Sequence, residues 1–68
     1  MNEKSSGENI RQIRKSLNLS QRAFGEMLGV SRSCVKRWEV DNSEPDFEAM
    51  RQMKRVFGIS YEEIIDGI

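Results

Sequence analysis

Residues 19–39 read LSQRAFGEMLGVSRSCVKRWE, and this stretch decides the fold because it predicts two short helices joined by a tight turn. Ser20 and Ser31 stand where the two helices would begin, and serine is a favoured N-cap because its hydroxyl accepts a hydrogen bond from a free backbone N–H. Gly29 lies between the helices and supplies the positive φ angle that a tight turn needs. The sequence therefore predicts two helices that cross steeply over a short turn.

Apolar residues recur at helical spacing on both sides of this stretch. The S-x-x-E sequences at residues 5–8 and 60–63 have the spacing of a capping box and predict the starts of the first and last helices. Asp46 is the predicted cap of the fourth helix, while Asn18 and Gly58 are predicted to end the first and the fourth. The residues predicted to face the core are Ile10, Ile13, Leu17, Ala23, Phe24, Met27, Leu28, Val35, Trp38, Phe47, Met50, Met53, Val56, Phe57, Ile64 and Ile65.

The length and composition indicate one small domain. Residues 1–68 are too few to divide further, so we predict a single all-α domain of five short helices, in which the polar residues 1–5 are disordered. The chain has one cysteine, Cys34, and no histidine, which excludes a disulfide framework and the usual zinc-site spacings. No apolar run approaches the roughly 20 residues that span a bilayer. We therefore expect a cytoplasmic protein without a membrane partner, metal or cofactor, and nothing in the sequence suggests an enzyme.

The net charge is zero, but the charges are unevenly distributed. Residues 1–37 carry eight bases against three acids, and residues 38–68 carry three bases against eight acids, so the formal charges are +5 and −5. A basic half of this kind indicates an anionic partner on one side of the molecule. The competing interpretation is that a small soluble domain has divided its charges by chance.

The sequence also resembles a known family, through motifs at five places. These are Arg14, LSQ at residues 19–21, LGVS at 28–31, WE at 38–39 and GISYEEI at 58–64. Together they resemble the phage-repressor and Cro-like helix-turn-helix family over about residues 10–67. The resemblance implies the lambda-repressor-like fold, in which helices two and three form the helix-turn-helix and a recognition helix at residues 31–39 enters the major groove. It also implies sequence-specific binding of double-stranded operator DNA by a transcriptional regulator, most simply a repressor.

Helical spacing turns the cationic residues of the recognition helix outward together once Val35 and Trp38 face the core. Such a cluster is often only a solvated helix face, but within this motif it suits the major groove, where arginine can form two hydrogen bonds to guanine. The resemblance implies base contacts by Arg32, Ser33 and Arg37. It also implies phosphate contacts by Gln21 and Ser31, and further phosphate contacts are predicted for Lys36, Asn42 and Ser43.

The resemblance implies one ion pair, and the chain departs from the family pattern at two places. Arg14 and Glu39 are expected to pair and to orient the recognition helix. Gly25 stands where the family more often has alanine, and since glycine costs roughly 1 kcal/mol in a helix, it predicts either a tighter crossing or a looser second helix. The loop at residues 41–46 is acidic where the family often has basic residues, which predicts weaker binding with a shallower salt dependence.

Two classes of function remain open. The DNA-binding regulator is expected to form a homodimer, at least on DNA, because one recognition helix contacts few base pairs and two copies can bind half-sites about 34 Å apart. Tyr61, Ile65 and Ile68 are candidate interface residues. The alternative is a protein-interaction module on the same fold, such as an antitoxin or a regulator's partner, which would use the acidic half of the chain.

Overall fold

Five helices follow one another in the computed structural model, which describes residues 5–41 and 43–67. They are α1 (Ser6–Ser16), α2 (Gln21–Leu28), α3 (Arg32–Val40), α4 (Phe47–Phe57) and α5 (Tyr61–Asp66). The described residues contain no strand, so the prediction of an all-α fold with five helices is confirmed. The longest of these helices have 11 residues, and none that the structure describes has the length and apolar character of a membrane span.

Each helix begins at a capping side chain that accepts a hydrogen bond from the third backbone N–H of the helix, an interaction worth about 1 kcal/mol. The caps are Ser5, Ser20, Ser31, Asp46 and Ser60. Glu8 and Glu63 complete the two predicted capping boxes. Ser5 is the cap of α1, as its capping box predicts, and residues 1–4 lie outside the described part of the chain, so the disorder predicted for residues 1–5 stays a prediction.

The core forms where α2 packs against α3 and α4 and where α1 packs against α3 and α5. Its fully buried large side chains are Phe24, Ile10, Met53, Ile64 and Val35. The rings of Phe24 and Phe57 are stacked, with their centroids 5.2 Å apart, and they join α2 to α4. Trp38 is also buried, so the two inward residues predicted for α3 are confirmed.

Four apolar residues that were predicted to face the core are exposed instead, namely Leu17, Met27, Phe47 and Val56. Phe47 is the most exposed, at 77% of its surface. These helices are short, so each buries only a narrow stripe, and apolar residues at the stripe's edge or at a helix end remain at the surface. Ala49 and Ile59, which the apolar stripes did not include, are buried in the core.

The backbone of the turn between α2 and α3 passes close to Gly25. A β-carbon there would lie 2.8 Å from the Val30 carbonyl oxygen and 3.2 Å from that of Ser31. The turn between the helices passes through Gly29, whose φ angle is +78°. Gly25 therefore leaves room for the close approach of the turn, while the choice between a tighter crossing and a looser second helix stays a prediction.

α1 packs closely against the carboxyl end of α3. At Gly7, a β-carbon would overlap the carbonyl oxygen of Trp38 and would lie 3.0 Å from that of Glu39. On its other side α1 contacts α5, where the buried Asn9 amide donates a hydrogen bond to the Ile64 carbonyl oxygen at 2.8 Å. α1 thus holds α3 and the last helix in a fixed arrangement.

Candidate nucleic-acid interface

The outer face of α3 presents a cluster of cations to solvent. Arg32, Ser33, Lys36 and Arg37 are all exposed, while Val35 on the opposite side is fully buried. α3 begins at Arg32, so Arg32 lies in its first turn. Lys36 and Arg37 lie about one helical turn further along the helix. The structure therefore brings the three predicted base-contacting residues and Lys36 together on one surface.

The three cations of α3 form no ion pair with a carboxylate of residues 5–41 and 43–67. Arg14, Arg22 and Arg51 differ, since each has a carboxylate partner. The α3 cations therefore need not give up an internal partner in order to contact an anion.

Ser31 and Ser43, two of the predicted phosphate contacts, lie at opposite ends of α3. The Ser31 hydroxyl accepts from the backbone N–H of Cys34 at 3.1 Å, and it keeps its own O–H to donate. The Ser43 backbone N–H donates to the Arg37 carbonyl oxygen, while its exposed side chain faces solvent. Asn42, also predicted to contact phosphate, lies outside the described residues.

A buried ion pair fixes α3 to α1. Arg14 Nε donates to Glu39 Oε2 at 2.7 Å and its Nη2 donates to Oε1 at 3.1 Å, which makes the pair bidentate. A third donor, Arg14 Nη1, bonds the Leu19 carbonyl oxygen just before α2. The side chains are only 11% and 3% exposed, so a charged network in the interior sets the position of α3.

Gln21 joins the same network. Its Nε2 donates to Glu39 Oε1 at 3.1 Å, which links the first residue of α2 to the end of α3. An amide nitrogen carries two hydrogens, so Gln21 retains one donor for another acceptor. Its predicted contact with phosphate therefore remains compatible with the side chain's position and stays a prediction.

Glu39 is ionised more readily than an ordinary glutamate. Burial would raise its pKa, but hydrogen bonds from Arg14 and Gln21, together with the charge of Arg14, hold the pKa below its usual value. Hydrogen bonds to the charged form of a carboxyl favour that form. The network is therefore complete when Glu39 is negatively charged.

Comparison with known proteins identifies this arrangement. Residues 10–64 match a family model described as helix-turn-helix. The chain belongs to the helix-turn-helix family. The domain is 34% identical over 67 residues to repressor protein C2 of Salmonella phage P22, an alignment that covers 98% of this chain and 31% of the repressor. It is 30% identical over 60 residues to the HTH-type transcriptional activator BcrR of Enterococcus faecalis, covering 88% of this chain and 29% of BcrR.

A solved structure supports the same assignment for this helix-turn-helix domain. The P22 c2 repressor protein, in a crystal structure with a synthetic operator, superimposes with a TM-score of 0.86 and 32% identity over 97% of this chain and 100% of that chain. The family resemblance drawn from the sequence is therefore confirmed. The chain spans about a third of the length of the curated relatives, at 31% and 29%.

The acidic loop of this helix-turn-helix domain has two different kinds of carboxylate. Asp46 caps α4 by accepting from the Ala49 N–H at 2.8 Å, so its negative charge has a structural use. Asp41 and Glu44 are exposed. Pro45, between Glu44 and Asp46, is buried and anchors the loop to the domain.

Two residues that position the helix-turn-helix were not assigned their roles from the sequence. Gly7 brings α1 very close to α3. A glycine inside an amphipathic helix indicates close packing, so Gly7 could have been identified in the same way as Gly25 in α2. The bond from Gln21 to Glu39 joins residues 18 positions apart, and no sequence spacing indicates it.

Proposed function

We propose that this domain binds double-stranded DNA sequence-specifically and regulates transcription in the cytoplasm, most simply as a repressor, without enzymatic activity. The observation that carries this proposal is the exposed face of α3, where Arg32, Lys36 and Arg37 lie together without ion-pair partners among the described residues. The Arg14–Glu39 pair fixes the orientation of that face. The similarity to a repressor crystallised with an operator supports the same function.

In this proposal Arg32, Ser33 and Arg37 contact base edges in the major groove, where arginine distinguishes guanine through its O6 and N7 acceptors. The contacts that fix register on the duplex go to phosphates. They are assigned to Gln21, Ser31, Lys36, Ser43 and Asn42, the last outside the described residues. Base preference thus depends on few side chains.

Removal of the two arginines should abolish sequence preference. Each bidentate arginine–guanine contact provides about 1–3 kcal/mol of discrimination, so Arg32→Ala/Arg37→Ala should lose the enriched motif that wild type selects from random duplexes. The matched control is Arg55→Ala, which removes an exposed cation from α4. Melting temperatures of all three proteins should agree closely, because the altered side chains are exposed. A wild-type protein that enriches no motif would contradict the proposed function.

We also propose that the domain forms a homodimer, at least on DNA, and a groove between α4 and α5 supports this. Phe47, Met50 and Tyr61 line the groove, and the two aromatic rings are 77% and 56% exposed. Arg51 and Glu62 are also part of its lining, so the groove carries both signs of charge. An isologous interface needs a self-complementary surface, which this combination provides.

Two other residues, Ile65 and Ile68, were also candidates for the dimer interface. Ile65 is half-buried and packs against the core, so little of it remains for a partner. Ile68 lies outside the described residues. The groove around Phe47 and Tyr61 is therefore the proposed interface.

Phe47→Glu should weaken cooperative binding to a palindromic duplex while leaving half-site affinity unchanged. A central aromatic residue in an interface commonly contributes about 2 kcal/mol or more, so we expect cooperativity to fall at least about ten-fold. Titration of duplexes with one and two half-sites, with sedimentation to count bound copies, measures both quantities. Val56→Glu, on the same helix but outside the groove lining, is the control. Equal cooperativity in Phe47→Glu and wild type would exclude this interface.

The exposed carboxylates of Asp41 and Glu44 favour a second candidate function, a protein-interaction module that binds a partner through the acidic half. Such binding would survive the loss of Arg32 and Arg37. The same arginine variants therefore separate the two candidates.

A further inference from the structure

A second group of cations lies on α1. Arg11 and Lys15 are exposed and stand four residues apart, so they are neighbours on one side of the helix. Neither forms an ion pair with a carboxylate in the part of the chain that the structure describes. We refer to Arg11 and Lys15 as the α1 basic edge.

The packing of α1 places this edge beside the carboxyl end of α3. α1 contacts that end through Gly7 and Arg14. Gly7 lies four positions before Arg11, and Arg14 lies three positions after it. Positions separated by three and four residues share a helix face, so Arg11 lies next to the line of contact with Glu39. Burial raises the pKa of Glu39, whereas the hydrogen bonds from Arg14 and Gln21 and the charge of Arg14 lower it. The charge of Arg11 lowers this pKa further.

We propose that Arg11 and Lys15 contact the DNA phosphate backbone alongside the recognition helix and supply the anchor that the acidic loop after α3 lacks. This inference rests on the proposed function, because it assigns further contacts on the same DNA. It makes α1 a binding element in addition to its role as the support of α3.

The position of Gln21 supports this assignment. Gln21 bonds to Glu39, the same carboxylate that Arg14 holds, and Gln21 is itself a predicted phosphate contact. Gln21 at the start of α2 and Arg11 of the α1 basic edge therefore both act on one carboxylate, Gln21 through a hydrogen bond and Arg11 through its charge.

The distribution of charge supports it further. Exposed Asp41 and Glu44 repel phosphate from the loop, so cations from another element are needed to fix the duplex in register. The unpaired cations of α1 and α3 belong to two helices that pack directly against each other. Lys54 and Arg55, which are also exposed, belong to α4 and lie within the acidic half of the sequence.

Neutralisation of the edge should reduce the salt dependence of DNA binding without altering base preference. The probe is a duplex that wild type selects from a random library, compared with a scrambled duplex of equal length. Each lost phosphate contact lowers the slope of log K against log salt by about 0.9, so Arg11→Gln/Lys15→Gln should lower the slope by about 2. The apparent affinity at about 0.1 M salt should fall roughly ten- to one hundred-fold for both duplexes.

Four further variants complete the design. Arg55→Gln is the one-charge control for the single variants Arg11→Gln and Lys15→Gln, and it should keep the wild-type slope. Arg11→Lys retains the charge and should stay close to wild type in affinity. Melting temperatures measured on the same samples separate lost contacts from lost structure.

The possible results are distinct. A slope that falls in Arg11→Gln and Lys15→Gln, with an unchanged selected motif, supports the assignment. Unchanged slopes in both variants, while Arg32→Ala/Arg37→Ala loses its motif, overturn the inference and leave the proposed function intact. A changed motif in Arg11→Gln would place Arg11 at a base and also overturn the assignment. Failure of wild type to prefer its selected duplex would instead count against the proposed function.

Discussion

Gly7→Ala should lower the free energy of unfolding by about 2–4 kcal/mol, a large part of the few kcal/mol that stabilise a domain of this size. The added β-carbon would overlap the Trp38 carbonyl oxygen and press on that of Glu39. Both neighbours are backbone atoms of α3, so neither can rotate away as a flexible side chain would. α1 must then move outward from α3, which weakens the contacts of the buried Ile10 and Arg14 behind it.

Thermal and urea unfolding measure this effect, with a loss of more than about 10 °C in melting temperature expected. Lys15→Ala is the matched control, since it places alanine on the exposed side of the same helix and should melt close to wild type. A Gly7→Ala protein that melts with the control would contradict the close approach of α1 to α3.

Glu39→Ala should have a comparable effect, lowering the free energy of unfolding by about 2–4 kcal/mol. The substitution leaves the Arg14 guanidinium largely buried without its carboxylate, and removal of one partner of a buried pair is much more costly than the net value of the pair. It also frees Gln21, which loses its acceptor. DNA binding should weaken indirectly, because the end of α3 is no longer fixed to α1. Unchanged melting would show that the network does not stabilise the fold.

The pH dependence provides an independent check on Glu39. Its pKa is lowered in the folded state, so its stabilising contribution is fully present above the pKa of an unfolded glutamate, about 4.3, and is lost as the pH falls through the lower folded value. The stability difference between wild type and Glu39→Gln should therefore be largest near neutral pH and shrink below about pH 4. Glu44→Gln, an exposed carboxylate in the adjacent loop, is the control. A difference that stays constant with pH would contradict the lowered pKa.

Local chemistry made much of the fold predictable. The five caps were identified from residue type and spacing, because each makes its hydrogen bond within three residues of itself. Asn18 was expected to end α1, and it has a left-handed φ of 59° directly after the helix. Exposure was less predictable, since Phe47 and Met27 have the apolar character of core residues and only the packing of neighbouring helices shows that they lie outside the core.

The candidate site was likewise predictable only in part. The outward cations of α3 followed from helical spacing once Val35 and Trp38 were assigned inward. The Arg14–Glu39 pair depended on family resemblance, because no local pattern connects residues 25 positions apart. The α1 basic edge was not assigned, since Arg11 and Lys15 look like ordinary solvated residues until the packing of α1 on α3 is known.

The bond between Asn9 and the Ile64 carbonyl joins residues 55 positions apart and has a consequence for how the domain folds. The α2–α3 turn involves only neighbouring residues and closes with a small loss of chain entropy, whereas the α1–α5 contact must close almost the entire chain into a loop. We expect the helix-turn-helix to form early and α1 to dock late, when α3 and α5 are both in place to receive it. The rigid cationic surface of α3 would then exist only at the end of folding, and a partly folded chain would offer cations without a fixed spacing.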